Sequence, residues 1–257
     1  MKDKLTVKTA DELIKEELIM WLKKESDNYI FHYHPDSLAE EEIDQIIEYQ
    51  EECCRYICNV LDVDLKMKLK YYFCDSREEV GQIYGDNEPG SGFTRMPNEI
   101  YAVYNENIKC IGYHEDAHII SYTIARPEQN FIREGLSMFF DKTWWGVTNL
   151  AWAKYFYGEG SGPSIGDMMV KEKWIEAPET IGYTVSGAFA EFLITSFGIE
   201  KYKELYRQLS PDFSKAIFDV YQLSIEELEQ EFIGYLDKVM VRDEIFDLIE
   251  DLIKKYN

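Results

Sequence analysis

The order of strand-like and helix-like segments along the chain is the feature that most restricts its fold. Segments rich in aromatic and β-branched residues, which is the composition of β-strands, occur up to about residue 105. Beyond that point the apolar residues recur at helical spacing and strand-like segments stop. Strands grouped before helices predict an α+β fold, in which a small N-terminal mixed β-sheet with helices precedes a mainly α-helical half.

The individual elements follow from the same patterns. We expect strands at residues 29–34, 65–74, 93–95 and 99–104, and helices at about 37–61 and 77–84. Further helices are expected at about 108–125, 130–146, 147–157, 180–198, 200–209, 212–220, 224–240 and 243–256. A charged, amphipathic segment at residues 9–24 predicts a leading helix. These patterns divide the chain into a helical extension at 1–27, a mixed-sheet subdomain at 28–107 and a helical subdomain at 108–257, the last two forming one unit.

The charge balance restricts the partners. The chain has 27 basic and 49 acidic residues among 257, a net charge of −22. So acidic a surface argues against a nucleic acid or an anionic membrane as the partner, because both attract basic proteins. No apolar run approaches the roughly 18 residues of a membrane span, and no signal peptide is recognisable. We therefore expect a cytoplasmic protein, and the charge permits basic or neutral peptides or proteins as partners.

The five cysteines and two of the histidines carry weaker signals. An odd number of cysteines does not indicate a disulfide framework. Cys53, Cys54 and Cys58 share one predicted helix but lack a fourth ligand nearby, so buried free thiols are expected instead of a zinc cluster. His32 and His34 lie two residues apart on a predicted strand and share a face. A second metal site at these two residues and a purely structural role for them both stay open.

The other two histidines lie in the segment His114-Glu115-Asp116-Ala117-His118, which has the pattern H-E-x-x-H inside an apolar helical stretch. Residues four apart lie on one face of a helix, so both imidazoles can bind one metal ion. Glu115 is rotated by about 100° from His114 and lies beside the metal, where it can accept a proton from a water molecule. The alternative is two ordinary histidines, packed or solvent-facing.

A third ligand is expected from the next helix. Arg126-Pro127 ends the first helix, and the second carries Glu134 within an apolar stripe at residues 131–140. A carboxylate in such a stripe is costly unless it is paired or bound to a metal. A helix–turn–helix return brings Glu134 opposite the two histidines, which predicts a His₂Glu site for one zinc ion with an open position. Glu191 is an alternative third ligand without a spacing argument.

H-E-x-x-H followed by Glu134-Gly135 resembles the gluzincin zinc metallopeptidases, in particular the peptidase-MA-like proteins and the catalytic domains of zinc aminopeptidases. The segment 183–202 is also similar, with a tyrosine, small residues, an apolar helix and G-x-E-K. The resemblance implies a zincin-like catalytic domain that hydrolyses peptide bonds. It implies Glu115 as general base and Tyr183 as the phenol that stabilises the oxyanion. The strand at 99–104 would then be the sheet edge along which substrates lie.

The chain departs from the family pattern at several points. Asp116 is polar where these helices are usually apolar, which predicts a partly solvated face. Met138 stands where thermolysin-like sites have an aspartate, and Asp141 either orients a ligating histidine or is solvated. The motif G-x-M-E-N, which holds a substrate's free amine, does not occur, so internal and terminal cleavage both stay open.

Two alternative functions also stay open. The first is a zinc-binding module without turnover, used in protein binding or regulation. The second is an acidic interaction scaffold without a metal. The presence of Glu115 favours catalysis over the first.

Trp144, Trp145 and Trp152 are expected to pack the helical half, and a substrate cleft lined by them is the alternative.

Overall fold

The structure is a computed structural model that describes residues 21–208 and 212–256. It confirms the α+β arrangement, with a mixed sheet first and helices afterwards. The described chain forms two compact units. The first unit contains residues 21–51 and 67–111, and the second contains residues 52–66 and the described residues from 112 onward. Most of the leading helix predicted at 9–24 lies outside the described residues.

The first unit is built on a five-stranded sheet with the order β1-β2-β3-β5-β4. Its strands are β1 (Leu22–Glu25), β2 (Tyr29–Tyr33), β3 (Leu69–Cys74), β4 (Gly92–Arg95) and β5 (Glu99–Val103). The three central strands are parallel, and β1 and β4 pair antiparallel at the two edges. Its helices are α1 (Leu38–Glu41), the first part of α2 (Ile43–Leu61) and α3 (Arg77–Tyr84).

Two sequence expectations for this unit are wrong. Residues 22–25 form an edge strand paired with β2, so the leading helix does not extend to Lys24. The strand at 99–104 is not the sheet edge, because β4 covers its free side with Phe93 opposite Tyr101. Alternate side chains of the sheet are buried, among them Phe31, Tyr71 and Phe73, as the twofold period of a strand requires.

The second unit is mainly helical. After the end of α2 it contains α4 (Tyr113–Ser121), α5 (Asn130–Asp141), the hairpin β6 (Thr143–Trp144) and β7 (Val147–Thr148), α6 (Asn149–Gly158), α7 (Ile165–Met168), α8 (Lys171–Glu176), α9 (Glu179–Phe197), α10 (Ile199–Arg207), α11 (Phe213–Tyr221), α12 (Ile225–Lys238) and α13 (Asp243–Tyr256). None of these helices is long and apolar enough to cross a membrane, nor is any other helix in the described part of the chain.

Two predicted helices of this unit are too long. The helix predicted at 108–125 begins only at Tyr113. An isolated antiparallel β-bridge joins Tyr104 and Lys109, and Gly112 has a φ of 116°, which the helix cannot include. The helix predicted at 130–146 ends at Asp141, because Lys142 adopts a left-handed conformation with a φ of 67°. The hairpin that follows was not expected, nor were the short helices α7 and α8.

Helices α5 and α9 pack at unusually close range. A Cβ atom on Gly135 would lie 2.8 Å from the backbone oxygen of Ser186. A Cβ atom on Gly187 would lie 2.6 Å from the Cβ atom of Met138. Each helix therefore uses a glycine where the other helix crosses it. This contact fixes α5, and with it Glu134, against α9.

Candidate metal centre

Helix α4 presents both histidines of the H-E-x-x-H pattern on one face. Gly112 precedes the helix at a φ of 116°, which a glycine adopts without strain. His118 is almost fully buried, and the side chain of His114 is 25% exposed. The two rings stand edge to face with centroids 5.0 Å apart. Both imidazoles are thus held by one rigid element, four residues apart.

Glu134 on α5 meets both histidines. Its Oε2 atom lies 3.1 Å from His118 Nε2 and 3.4 Å from His114 Nε2. One donor atom from each of the three residues lies within 4.8 Å of the other two. Among the described residues, no other group of three or more His, Cys, Asp or Glu side chains has a spacing that suits a metal ion. The structure thus brings together the three residues that the sequence predicted as ligands.

The donor set fits a tetrahedral divalent metal ion. Two imidazole nitrogens and one carboxylate oxygen are ligands that zinc accepts, at about 2.0–2.2 Å. Tetrahedral angles at that radius separate neighbouring donors by about 3.3–3.5 Å. The 3.1 and 3.4 Å separations between Glu134 and the two histidines are close to this spacing. Both separations from Glu134 are therefore close to those of ligands on one ion, and the donor atoms of the two histidines lie within 4.8 Å of each other.

Asp141 supports His114 from the opposite side. Its Oδ2 atom lies 2.8 Å from His114 Nδ1, so this ring nitrogen donates to the carboxylate and Nε2 faces the metal group. Asp141 is the last residue of α5, two turns after Glu134 on the same helix. Of the two alternatives that the sequence left open for Asp141, the structure shows a direct contact with His114, and the Asp141 side chain is only 26% exposed.

The charges of the site reinforce this arrangement. Although burial opposes its protonation, the neighbouring Asp141 and Glu134 carboxylates raise the pKa of His114 well above its usual value. Burial alone would raise the pKa of Glu134, but the charge of His118 and hydrogen bonds from both histidines hold it far below its usual value. Among the protein groups alone, a positive imidazole lies between two carboxylates, the position that a bound cation would take.

Glu115 stands beside the metal group without belonging to it. Its side chain is half-buried on α4, one residue after His114. Burial raises the pKa of Glu115, and the charges of His114 and His118 oppose that rise. A carboxylate whose pKa is raised toward neutrality is a better proton acceptor and donor near pH 7 than an exposed one. The expectation of a partly solvated face at Asp116 is wrong, because Asp116 is fully buried.

Tyr183 also lies at the site. Its ring centroid on α9 is 6.1 Å from that of His114. Burial, with a further contribution from the Glu134 charge, raises the pKa of Tyr183, so the phenol stays protonated and can donate. Two tryptophans contact this ring, Trp144 from the hairpin and Trp174 from α8. The sequence offered Trp144 only as one of three tryptophans that pack the helical half or line a cleft, and it did not point to Trp174, because no spacing rule links either residue to α4.

The alternative ligands are engaged elsewhere. Glu191 lies 3.7 Å from Lys142 Nζ and outside the metal group. His34 pairs with Glu79 at 2.6 Å, and His32 stacks on Tyr72, so the two do not converge on one point. The five cysteines are free thiols, but the expected burial holds only for Cys53, Cys54 and Cys74, because Cys58 and Cys110 are partly exposed. The sequence matches no protein-family model and no curated protein.

Proposed function

We propose that this protein is a zinc-dependent metallopeptidase of the gluzincin type with a zincin-like fold. The convergence of His114, His118 and Glu134, with Asp141 behind His114, is the observation that carries the proposal. These three residues would hold one zinc ion, and Asp141 would keep His114 in the tautomer that binds it. Zinc in such a site supplies a Lewis acid that polarises a carbonyl and acidifies a water molecule.

The residues around the metal group provide the remaining chemistry. The Glu115 carboxylate takes a proton from the attacking water and then delivers it to the leaving amine nitrogen. The Tyr183 hydroxyl donates a hydrogen bond to the oxygen that becomes negative when the carbonyl is attacked. The half-buried position of both groups keeps bulk water from competing for these protons and hydrogen bonds.

The substitution Glu115→Gln tests this assignment. It removes the proton acceptor and leaves the three ligands, so we expect about one zinc ion per chain and no peptide hydrolysis above background. The measurements are elemental analysis and digestion of a peptide mixture, on protein purified without a histidine tag or chelators. Glu134→Ala is the matched variant and should lose the metal itself. Unchanged hydrolysis in Glu115→Gln would refute the mechanism, and full zinc content without hydrolysis in the wild type would favour a non-catalytic zinc-binding module.

A further inference from the structure

Tyr183 lies between two tryptophans that belong to other elements. The Trp144 ring stacks on the Tyr183 ring at a centroid distance of 5.3 Å and an interplanar angle of 22°. The Trp174 ring lies 5.7 Å from it at 58°. Because Tyr183 is itself 6.1 Å from His114, the three rings form an aromatic wall (Trp144, Trp174 and Tyr183) beside the metal group.

Specific packing holds both tryptophans in place. A Cβ atom on Gly182 would lie 3.4 Å from the Trp174 ring, so the glycine lets this indole lie directly on α9. The Trp144 carbonyl accepts a hydrogen bond from Trp152 Nε1 at 3.0 Å, which ties β6 to α6. All three rings of the aromatic wall remain partly exposed. The wall is therefore in position before a ligand arrives.

Two apolar residues near Trp174 in the sequence are exposed, among two basic and two acidic side chains whose charges balance. Val170 and Ile175 flank this residue and are 40% and 66% exposed. The charged neighbours Lys173 and Glu176 neutralise each other at 3.1 Å. In a chain with a net charge of −22, a neutral aromatic wall favours an apolar ligand over a basic one.

We propose that Trp144 and Trp174 form a subsite for a substrate side chain, and that the preferred substrates are peptides with an aromatic or large aliphatic residue next to the bond presented to the metal group. This inference rests on the proposed peptidase function. Both tryptophans determine specificity and take no part in breaking the bond. A hydrophobic subsite of this kind changes relative kcat/KM by about 10-fold or more between a large and a small side chain.

Cleavage specificity gives the first test. The wild type should cut a peptide library next to Phe, Tyr, Trp, Leu or Met. In Trp144→Ala and Trp174→Ala we expect the ratio of kcat/KM for a Phe peptide over its Ala analogue to fall about 10-fold. Phe218→Ala is the control, since this aromatic residue on α11 is 52% exposed and lies outside the aromatic wall, so its loss should not affect the ratio. A ratio that stays unchanged in both variants would overturn the proposed subsite.

Binding without cleavage gives the second test. Calorimetric titration of the Glu115→Gln protein should show acetyl-Ala-Ala-Phe-Ala-amide binding about 10-fold tighter than its all-alanine analogue. Gly182→Leu, which displaces Trp174 and keeps every tryptophan, should abolish the difference. Equal affinity of the two peptides before any tryptophan change contradicts the inference. If the wild type cuts no peptide, the proposed function fails, whereas the difference in binding still tests the subsite.

Discussion

The imidazole of His114 has a carboxylate on each side. Nδ1 is 2.8 Å from Asp141 and Nε2 is 3.4 Å from Glu134. The sequence predicted the pairing of His114 with His118, because a spacing of four is a local property of any helix. It left the role of Asp141 open, because that contact depends on where α5 ends and how it packs on α4. Local spacing thus predicts the candidate ligands but not the contact of His114 with Asp141.

Asp141→Asn should weaken metal binding. The amide removes the negative charge that fixes the His114 tautomer, so we expect zinc affinity to fall by about 10–100-fold. Competition with a chromophoric chelator measures the change. Asp251→Asn serves as the control, because the Asp251 side chain is 79% exposed on α13 and should leave the affinity unchanged. An equal affinity in the Asp141 variant would mean that His114 does not need this support.

The raised pKa of His114 makes the stability of the metal-free protein depend on pH. A histidine whose pKa is higher in the folded than in the unfolded state stabilises the fold below its unfolded value of about 6.5. That contribution is lost as pH rises through the raised pKa of His114. Urea unfolding of chelator-treated protein above about pH 6.5 should therefore show a falling free energy of unfolding, with a smaller fall in His114→Gln. A flat profile for the wild type would contradict the assignment.

Among the elements, the hairpin after α5 shows where helical periodicity misled the prediction. Thr143-Trp144-Trp145-Gly146-Val147-Thr148 contains β-branched and aromatic residues on both sides of a Trp-Gly turn. Trp145 and Gly146 both have positive φ, 49° and 77°, as a two-residue hairpin turn of type I′ requires. Gly146 is therefore typical of such a turn, but tryptophan rarely adopts a positive φ. The apolar residues of the hairpin therefore resemble a continuation of the helical pattern of α5, which predicts a helix that is too long.

Gly135→Ala should disturb the contact between α5 and α9. The new methyl would lie 2.8 Å from the Ser186 oxygen, so the helices must separate. We expect a loss of about 1–3 kcal/mol in the free energy of unfolding, together with weaker zinc binding because Glu134 moves. Gly234→Ala in α12 is the control, since nothing lies within 4 Å of its added methyl. It should stabilise the protein by up to about 1 kcal/mol. Equal effects of the two substitutions would argue against a tight α5–α9 contact.

For the whole molecule, the fold class followed from the order of the segments, since strands that precede helices have few ways to pack. The identity of the edge strand did not follow. Strand β4 pairs antiparallel with β5 and is the last strand of the sheet. The alternation of apolar and polar residues predicts that both segments are strands, but it does not show which of them lies at the edge. The long helices of the second half were predictable from their apolar spacing. The short helices α7 and α8 were not, because they have too few residues to show a helical period.

The net charge of −22 should make stability depend on ionic strength. Repulsion among like charges weakens the folded state and is screened by salt. The urea midpoint should therefore rise between about 20 and 200 mM sodium chloride, with an unchanged m-value. A lower midpoint at the higher salt concentration would show that exposed ion pairs such as Lys24–Asp44 outweigh the repulsion.

The aromatic wall also gives the protein an optical probe of its own. Two of the five tryptophans contact Tyr183, which in turn lies beside His114. A site of two imidazoles and a carboxylate accepts cobalt or copper as well as zinc, and ions with unpaired electrons quench nearby indole emission. We therefore expect intrinsic fluorescence to fall when such an ion binds the metal group, and the Trp144 and Trp174 variants should show how much of the change each ring contributes.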